Sequence, residues 1–190
     1  INESEDYFWR TDDRYAPHNV VTNTKSILEI AKEKGYRTTS DEESVLNYVV
    51  DEANLENGQS AIDITIPYSD YNTVSYEYDS ENKNYIRYSR DVKQVDWDTE
   101  EPVTVKNIII AKVENSTLSD GSGKDRQTID NIGTLEGYYI TNGKAIPITC
   151  EKESVTSKTI YKDLDGNEIK VNDGNTFIQM CPADADIVIE

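Results

Sequence analysis

Sulfur and imidazole are nearly absent from this chain, which has two cysteines, one methionine and one histidine in 190 residues. Two cysteines allow one disulfide at most, so a disulfide-rich secreted scaffold is excluded. Cys150 and Cys181 each end an apolar run, which leaves a bridge and two buried thiols both open. A lone His18 has no neighbouring imidazole or thiol to complete a metal set, so no metal and no cofactor is expected. Cations are scarce as well. Nineteen Lys and Arg face 37 Asp and Glu, a net charge of −18. That balance argues against a nucleic-acid partner and against adsorption to anionic lipid. No apolar run approaches the ~20 residues of a membrane span. No leader pattern opens the chain at Ile1. The expectation is a mature or shortened fragment, with membrane attachment only through an N-terminal lipid anchor absent from these residues.

Tyrosine is abundant, with 13 residues against two phenylalanines and two tryptophans. An apolar ring with a polar tip suits half-buried strands and ligand-facing surfaces. The rare residue types concentrate in Tyr7-Phe8-Trp9-Arg10 and Arg14-Tyr15-Ala16-Pro17-His18-Asn19, preceded by acidic Glu3, Glu5 and Asp6. Pro17 fixes its own φ and pushes Ala16 toward extended geometry, which stiffens the backbone under His18 and Asn19. The stretch reads either as a rigid loop offering His18, Asn19 and an arginine to a ligand, or as a packing segment whose aromatics fill a core. The second reading is favoured.

Residues 22–34 read as the one clear helix, capped by Thr22 or Thr24, with Ile27, Leu28, Ile30 and Ala31 as its apolar stripe and Gly35 as its stop. Residues 40–56 combine a capping box (Ser40, Glu43) with a β-branched run and read as a short extended segment. From residue 60 the period becomes two. Ile62, Ile64 and Ile66 alternate with polar residues, as do Val74, Tyr76 and Tyr78, and Tyr85, Arg87 and Ser89 share one face. Residues 105–113 contain Ile108-Ile109-Ile110, a strand buried on both faces. Residues 115–136 are polar and glycine-containing and read as a long loop. Hairpin turns follow at Asn142-Gly143, Asp165-Gly166-Asn167 and Asn172-Asp173-Gly174. The fold class is α+β: a single β-rich domain over 1–190, with about eight to ten mainly antiparallel strands and one or two helices near the N-terminus.

Familiar chemical motifs fail on inspection. Asp163-Leu164-Asp165-Gly166-Asn167-Glu168 resembles part of a calcium loop, but Gly174 stands where the twelfth-position glutamate is needed. Gly121-Ser122-Gly123-Lys124 lacks the spacing of a phosphate loop. No G-x-S-x-G elbow supports a serine hydrolase. Arg87, between tyrosines on a strand, and Arg126, beside Asp125, could each hold a carboxylate or phosphate; an internal salt bridge is the favoured alternative.

Taken in order, Tyr7-Phe8-Trp9-Arg10, Ala16-Pro17-His18-Asn19, Gly35-Tyr36, Ile66-Pro67-Tyr68-Ser69, Tyr78-Asp79, Tyr85-x-Arg87, Asn107-Ile108-Ile109, Asp125-Arg126, Asn142-Gly143-Lys144, Asp165-Gly166 and Gly174-x-Thr176 resemble the C-terminal domain of the YerB-like lipoproteins of Gram-positive bacteria. The resemblance covers nearly the whole chain. It departs from that family near Cys150 and at Phe177, where tryptophan would be expected. It implies an extracellular, membrane-anchored lipoprotein and supplies no reaction. The positions matching its polar motifs are Arg10, His18, Asn19, Arg87, Asn107, Asp125 and Arg126, which are the candidate ligand-binding residues. The expected role is a binding module at the cell envelope, its partner an unknown protein or cell-wall ligand, with a polar patch where the His18 loop meets the Tyr85–Arg87 strand. A hydrolase of cell-wall glycan or peptide, and a scaffold for chemistry elsewhere in a longer protein, are the alternatives.

Overall fold

A computed structural model describes residues 7–190, so Glu3, Glu5 and Asp6 lie outside the described residues. The chain divides into two compact units, Ile1–Ser44 and Val45–Glu190.

In the first unit, strands β1 (Trp9–Arg10) and β2 (Val20–Val21) pair antiparallel, and helix α1 (Thr24–Glu33) follows. The cap is Asn23 rather than either threonine expected, its Oδ1 accepting from the Ser26 N–H at 2.9 Å. Asn ranks with the best N-caps, and its amide oxygen has the same reach as a hydroxyl. At the far end Gly35 takes φ +68°, its N–H donates to Lys32 O, and Tyr36 N–H donates to Ala31 O. This paired closure satisfies two end carbonyls and needs a residue free of Cβ strain at position 35. Ile30 is buried, while Ile27 and Leu28 remain exposed.

The second unit is two large β-sheets sharing a core, plus a two-stranded pair, Asn47–Tyr48 with Lys170–Val171. Its strands run β3 (Asn47–Tyr48), β4 (Gln59–Ser60), β5 (Asp63–Ser69), β6 (Asn72–Asp79), β7 (Asn84–Ser89), β8 (Val92–Lys93), β9 (Thr104–Val105), β10 (Asn107–Thr117), β11 (Gln127–Asp130), β12 (Gly133–Thr141), β13 (Lys144–Lys152), β14 (Ile160–Asp163), β15 (Lys170–Val171), β16 (Thr176–Pro182) and β17 (Val188–Ile189). One sheet has the order β17-β5-β6-β7-β8, with β9 also on β7; the other has the order β11-β10-β12-β13-β14, with β16 on β10 and β4 on β13. Pairing is antiparallel except β10 with β16 and β15 with β3. The described residues hold seventeen strands, more than the eight to ten expected, and one helix. The surplus comes from strands of two residues, too short for any periodicity to register.

Strand β10 explains the architecture. Ile108 and Ile110 join Ile64, Ile66, Val74, Tyr76 and Tyr85 in the core between the sheets, while Ile109 and Ala111 join Tyr139, Ile148 and Val171 in a second core on the opposite face. The continuous isoleucine run is therefore buried on both faces, as its lack of alternation requires. The expected strand over 105–113 is broken at Lys106, where the chain changes sheets: Val105 pairs with Tyr85, and Asn107 pairs with Thr141. The expected long loop over 115–136 is instead a hairpin, because β10 continues to Thr117 and pairs with β11. Both arms of this hairpin are exposed from Glu114 onward, so their polar sequence carried no burial signal.

Two features fix this unit away from the cleft described below. Asn142 (φ +49°) and Gly143 (φ +72°) form the two-residue turn between β12 and β13, and Gly143 N–H donates to the Tyr85 hydroxyl at 2.9 Å. Beside this turn Glu52 accepts from Lys106 Nζ at 2.5 Å and Lys83 Nζ at 2.9 Å, and from the Asn142 amide at 3.1 Å. The Lys106 hydrogen bond, then those of Lys83 and Asn142, hold the Glu52 carboxyl down to about 2. A carboxyl held below its unfolded value of about 4.5 adds stability above that pH and loses it as pH falls toward 2. Glu52→Gln is therefore expected to lower the thermal midpoint at pH 7, and the gap to wild type is expected to close between pH 4.5 and 2. A gap constant across that range would show that Glu52 does not act through its charge.

Candidate functional site

A cleft in the second unit has a volume of about 510 Å³. Four pieces of chain form it: the β5–β6 turn (Tyr68, Ser69, Tyr71, Asn72), the outer part of β10 (Val113, Asn115), the loop and strand around β11 (Asp125, Gln127, Ile129), and the end of β16 (Met180, Cys181, Pro182). The volume falls in the usual range for small-molecule sites, roughly 300–1,000 Å³.

The local sequence explains why Tyr68 faces this space. The β5–β6 register shifts between Pro67 and Ser69, so Tyr68 is the unpaired residue of a bulge. Proline removes a ladder donor and suits such an irregularity, and a bulge re-aims the side chain it carries. The Tyr68 hydroxyl donates to Gln179 Oε1, and Gln179 Nε2 donates to the Tyr76 hydroxyl. Gln179 and Tyr76 are buried. Burial raises the Tyr68 and Tyr76 hydroxyls above the ordinary tyrosine range, with the Arg87 charge opposing in both cases. Both phenols are therefore neutral and act as hydrogen-bonding groups. Tyr71, at the turn tip, is 87 % exposed.

The sequence-derived candidates fall in both units. Arg10, His18 and Asn19 belong to the first. There Arg10 Nη1 donates to Asn19 Oδ1 at 2.7 Å, Asn19 Nδ2 donates to Thr11 O at 3.0 Å, and Thr11 N–H donates to Asn19 O at 2.9 Å. Asn19 thus ties the loop shut across the β1–β2 pair. His18 stands exposed, its backbone N–H on Tyr15 O at 3.0 Å, after a cis Ala16–Pro17 bond. Arg87, Asn107, Asp125 and Arg126 belong to the second unit. The Arg87 guanidinium lies 4.7 Å from the centroid of the Phe177 ring, a cation–π contact rather than an ion pair. Asn107 is fully buried, donating to Asn172 O at 2.8 Å and Thr176 Oγ1 at 3.1 Å and accepting from the Tyr139 hydroxyl at 3.0 Å. Arg126 pairs with Asp120 at 2.9 Å rather than with Asp125. Of the seven, Asp125 alone lines the cleft.

Tyr68, Tyr71, Met180 and the supporting Gln179 were not among the candidates. Tyr68 lay inside the quoted Ile66-Pro67-Tyr68-Ser69 motif, where a proline two residues before a turn was the available signal. The two cysteines are free and buried, Cys150 in one core and Cys181 in the other, on opposite faces of the same sheet. Burial pushes the Cys150 thiol up to about 12 and raises Cys181 as well. Thiols held protonated in this way are poor nucleophiles. In the turn at Asp163–Asn167, Asp163 Oδ1 accepts the N–H groups of Asp165 and Asn167 at 3.0 and 2.8 Å.

A shared core between two mainly antiparallel sheets, with a cleft where a hairpin turn meets the ends of three strands, defines a β-rich domain of the two-sheet type. The chain belongs to the family described as "Protein of unknown function (DUF3048) C-terminal domain", which matches residues 64–178. It is 26% identical over 170 residues to the Bacillus subtilis protein named "Putative lipoprotein YerB", a match covering 88% of this chain and 46% of that protein. The chain thus spans about half the length of that relative. The crystal structure of the YerB protein from Bacillus subtilis matches with a TM-score of 0.77 at 26% identity, over 95% of this chain and 59% of that one. The resemblance drawn from the ordered motifs is therefore the family relationship.

Proposed function

We propose that this chain is a ligand-binding domain of a lipid-anchored protein of the cell envelope, and that it binds through the Tyr68–Asp125 cleft. The observation that carries the binding reading is the cleft itself: about 510 Å³, lined by aromatic and apolar side chains with a few polar groups. A buried glutamine holds its inner tyrosine in place. Such preorganised lining is what small-ligand sites share. The anchor is taken from the name of the Bacillus subtilis relative. Free cysteines buried in both cores suit a domain that does not depend on an oxidising compartment for its folding.

The reading is tested by screening cell-wall fragments (muropeptides and glycan oligomers) and small amines by thermal shift against wild type and Tyr71→Ala. Tyr71 is too exposed for its loss to unfold the domain. A ligand at 100 times its Kd stabilises by about 2.7 kcal/mol. The expected result is one compound class that raises the wild-type midpoint and raises the Tyr71→Ala midpoint less. Equal shifts for both proteins would place binding elsewhere. The anchor is tested separately, by labelling the full-length protein with radioactive palmitate in a Gram-positive host.

A further inference from the structure

Resting on that reading of the cleft, we infer that its ligand class is an organic ammonium: a cation carried on an apolar body. The argument begins with charge. Asp125 is the single charged residue lining the cleft among the described residues, and the chain around it carries a net charge of −18. An anion entering there would meet a carboxylate with no cation in the lining to offset it.

Donor and acceptor accounting points the same way. The Tyr68 proton is committed to Gln179 Oε1, so the phenol oxygen offers lone pairs. Gln127 Nε2 spends its two N–H groups on Thr117 Oγ1 at 3.1 Å and Asp125 O at 3.0 Å, and Gln127 Oε1 accepts from Asn115 Nδ2 at 2.8 Å. Gln127 therefore presents no donor, and Asn115 keeps its whole Oδ1. The remaining side-chain donors are the Ser69 and Tyr71 hydroxyls, the Asn72 amide and one Asn115 N–H, all neutral. Acceptors plus one negative charge call for a ligand that donates and is positive.

The lining also sets the rest of the molecule. Tyr68, Tyr71, Ile129 and Met180 present rings, a thioether and alkyl surface. Aromatic faces favour ammonium groups over neutral isosteres, while the thioether and alkyl surface favour an apolar body. A bare divalent ion is a poor fit, because one carboxylate supplies too few hard oxygen ligands.

The test uses 2-phenylethylammonium and its neutral isostere 2-phenylethanol, followed by amide chemical-shift perturbation and calorimetry. An N-acetylated, C-amidated Ala-Lys-Ala peptide separates a free amine from a lysine side chain as the source. Chitobiose is the saccharide arm. Expected are saturable shifts at Tyr71, Asp125 and Met180 with the ammonium or the lysine peptide, and binding at least about 10-fold weaker with the alcohol. Asp125→Asn should weaken ammonium binding by about 10-fold, equivalent to 1.4 kcal/mol. Asn tolerates the positive φ of +47° at this position, so the variant keeps the loop. Equal binding of alcohol and ammonium, an unaffected Asp125→Asn, or binding of chitobiose alone would overturn the ammonium assignment and leave the cleft as the site. Absence of shifts at the cleft with every probe would overturn the cleft reading as well.

Discussion

Gly137→Ala is expected to lower stability by on the order of 3 kcal/mol or more, among the larger effects of adding one methyl group. Gly137 lies in the middle of β12, paired with Ala111 on one side and Ile148 on the other. A Cβ there would sit 2.0 Å from the Ile110 carbonyl oxygen and 3.2 Å from Cys150 Sγ. The first contact is with backbone in a strand buried on both faces, so relief requires moving β10 or β12. Every such movement opens one of the two cores. In a chain of this size the thermal midpoint should fall by roughly 6–12 °C. Gly121→Ala is the control: unlike Gly137, Gly121 has a left-handed backbone (φ +71°), but nothing lies within 4 Å of the added atom. It should cost only the left-handed strain, about 1–2 kcal/mol. A Gly137→Ala protein unfolding in urea within 1 kcal/mol of wild type would show that the two strands can separate cheaply.

Gln179→Leu is expected to cost about 2–4 kcal/mol, because it leaves the buried Tyr76 hydroxyl and the half-buried Tyr68 hydroxyl without their shared partner. Size is nearly conserved, so cavity formation is a minor contribution. The triple variant Tyr68→Phe, Tyr76→Phe, Gln179→Leu should recover most of the loss, since removing all members of a polar network is far less costly than removing one. Stability measured by urea unfolding across these variants decides the matter. If the triple variant is no better than Gln179→Leu, the glutamine acts by shape rather than by its amide. The same substitution should weaken ligand binding at the cleft, because Gln179 fixes the tyrosine that forms the cleft's inner wall.

The two lysines on Glu52 and the arginine on Phe177 show how limited the scarce cations are in reach. Each is used inside the fold or on its surface rather than gathered into an anion site.

Much of the fold was legible because it depends on local rules. Period-two alternation marked β5, β6 and β7; the unbroken isoleucines marked β10; Asn142-Gly143 marked a two-residue turn through its left-handed preference. The single helix was legible through its stripe and Gly35 stop, although the cap moved to Asn23. The acidic balance argued against nucleic-acid partners, and two cysteines against a multi-cysteine scaffold, without any structure. Tertiary structure alone decided the rest. Whether a polar stretch such as 115–130 pairs with itself depends on backbone hydrogen bonds, which leave no hydrophobic pattern. Asn107 and Asp125 are both polar residues in matched motifs, yet one closes a core and the other lines a cleft. Their fates depend on which strands meet them across the sheets, and those strands come from other parts of the sequence, such as Tyr139 and Thr176 for Asn107 and Tyr68 and Met180 for Asp125.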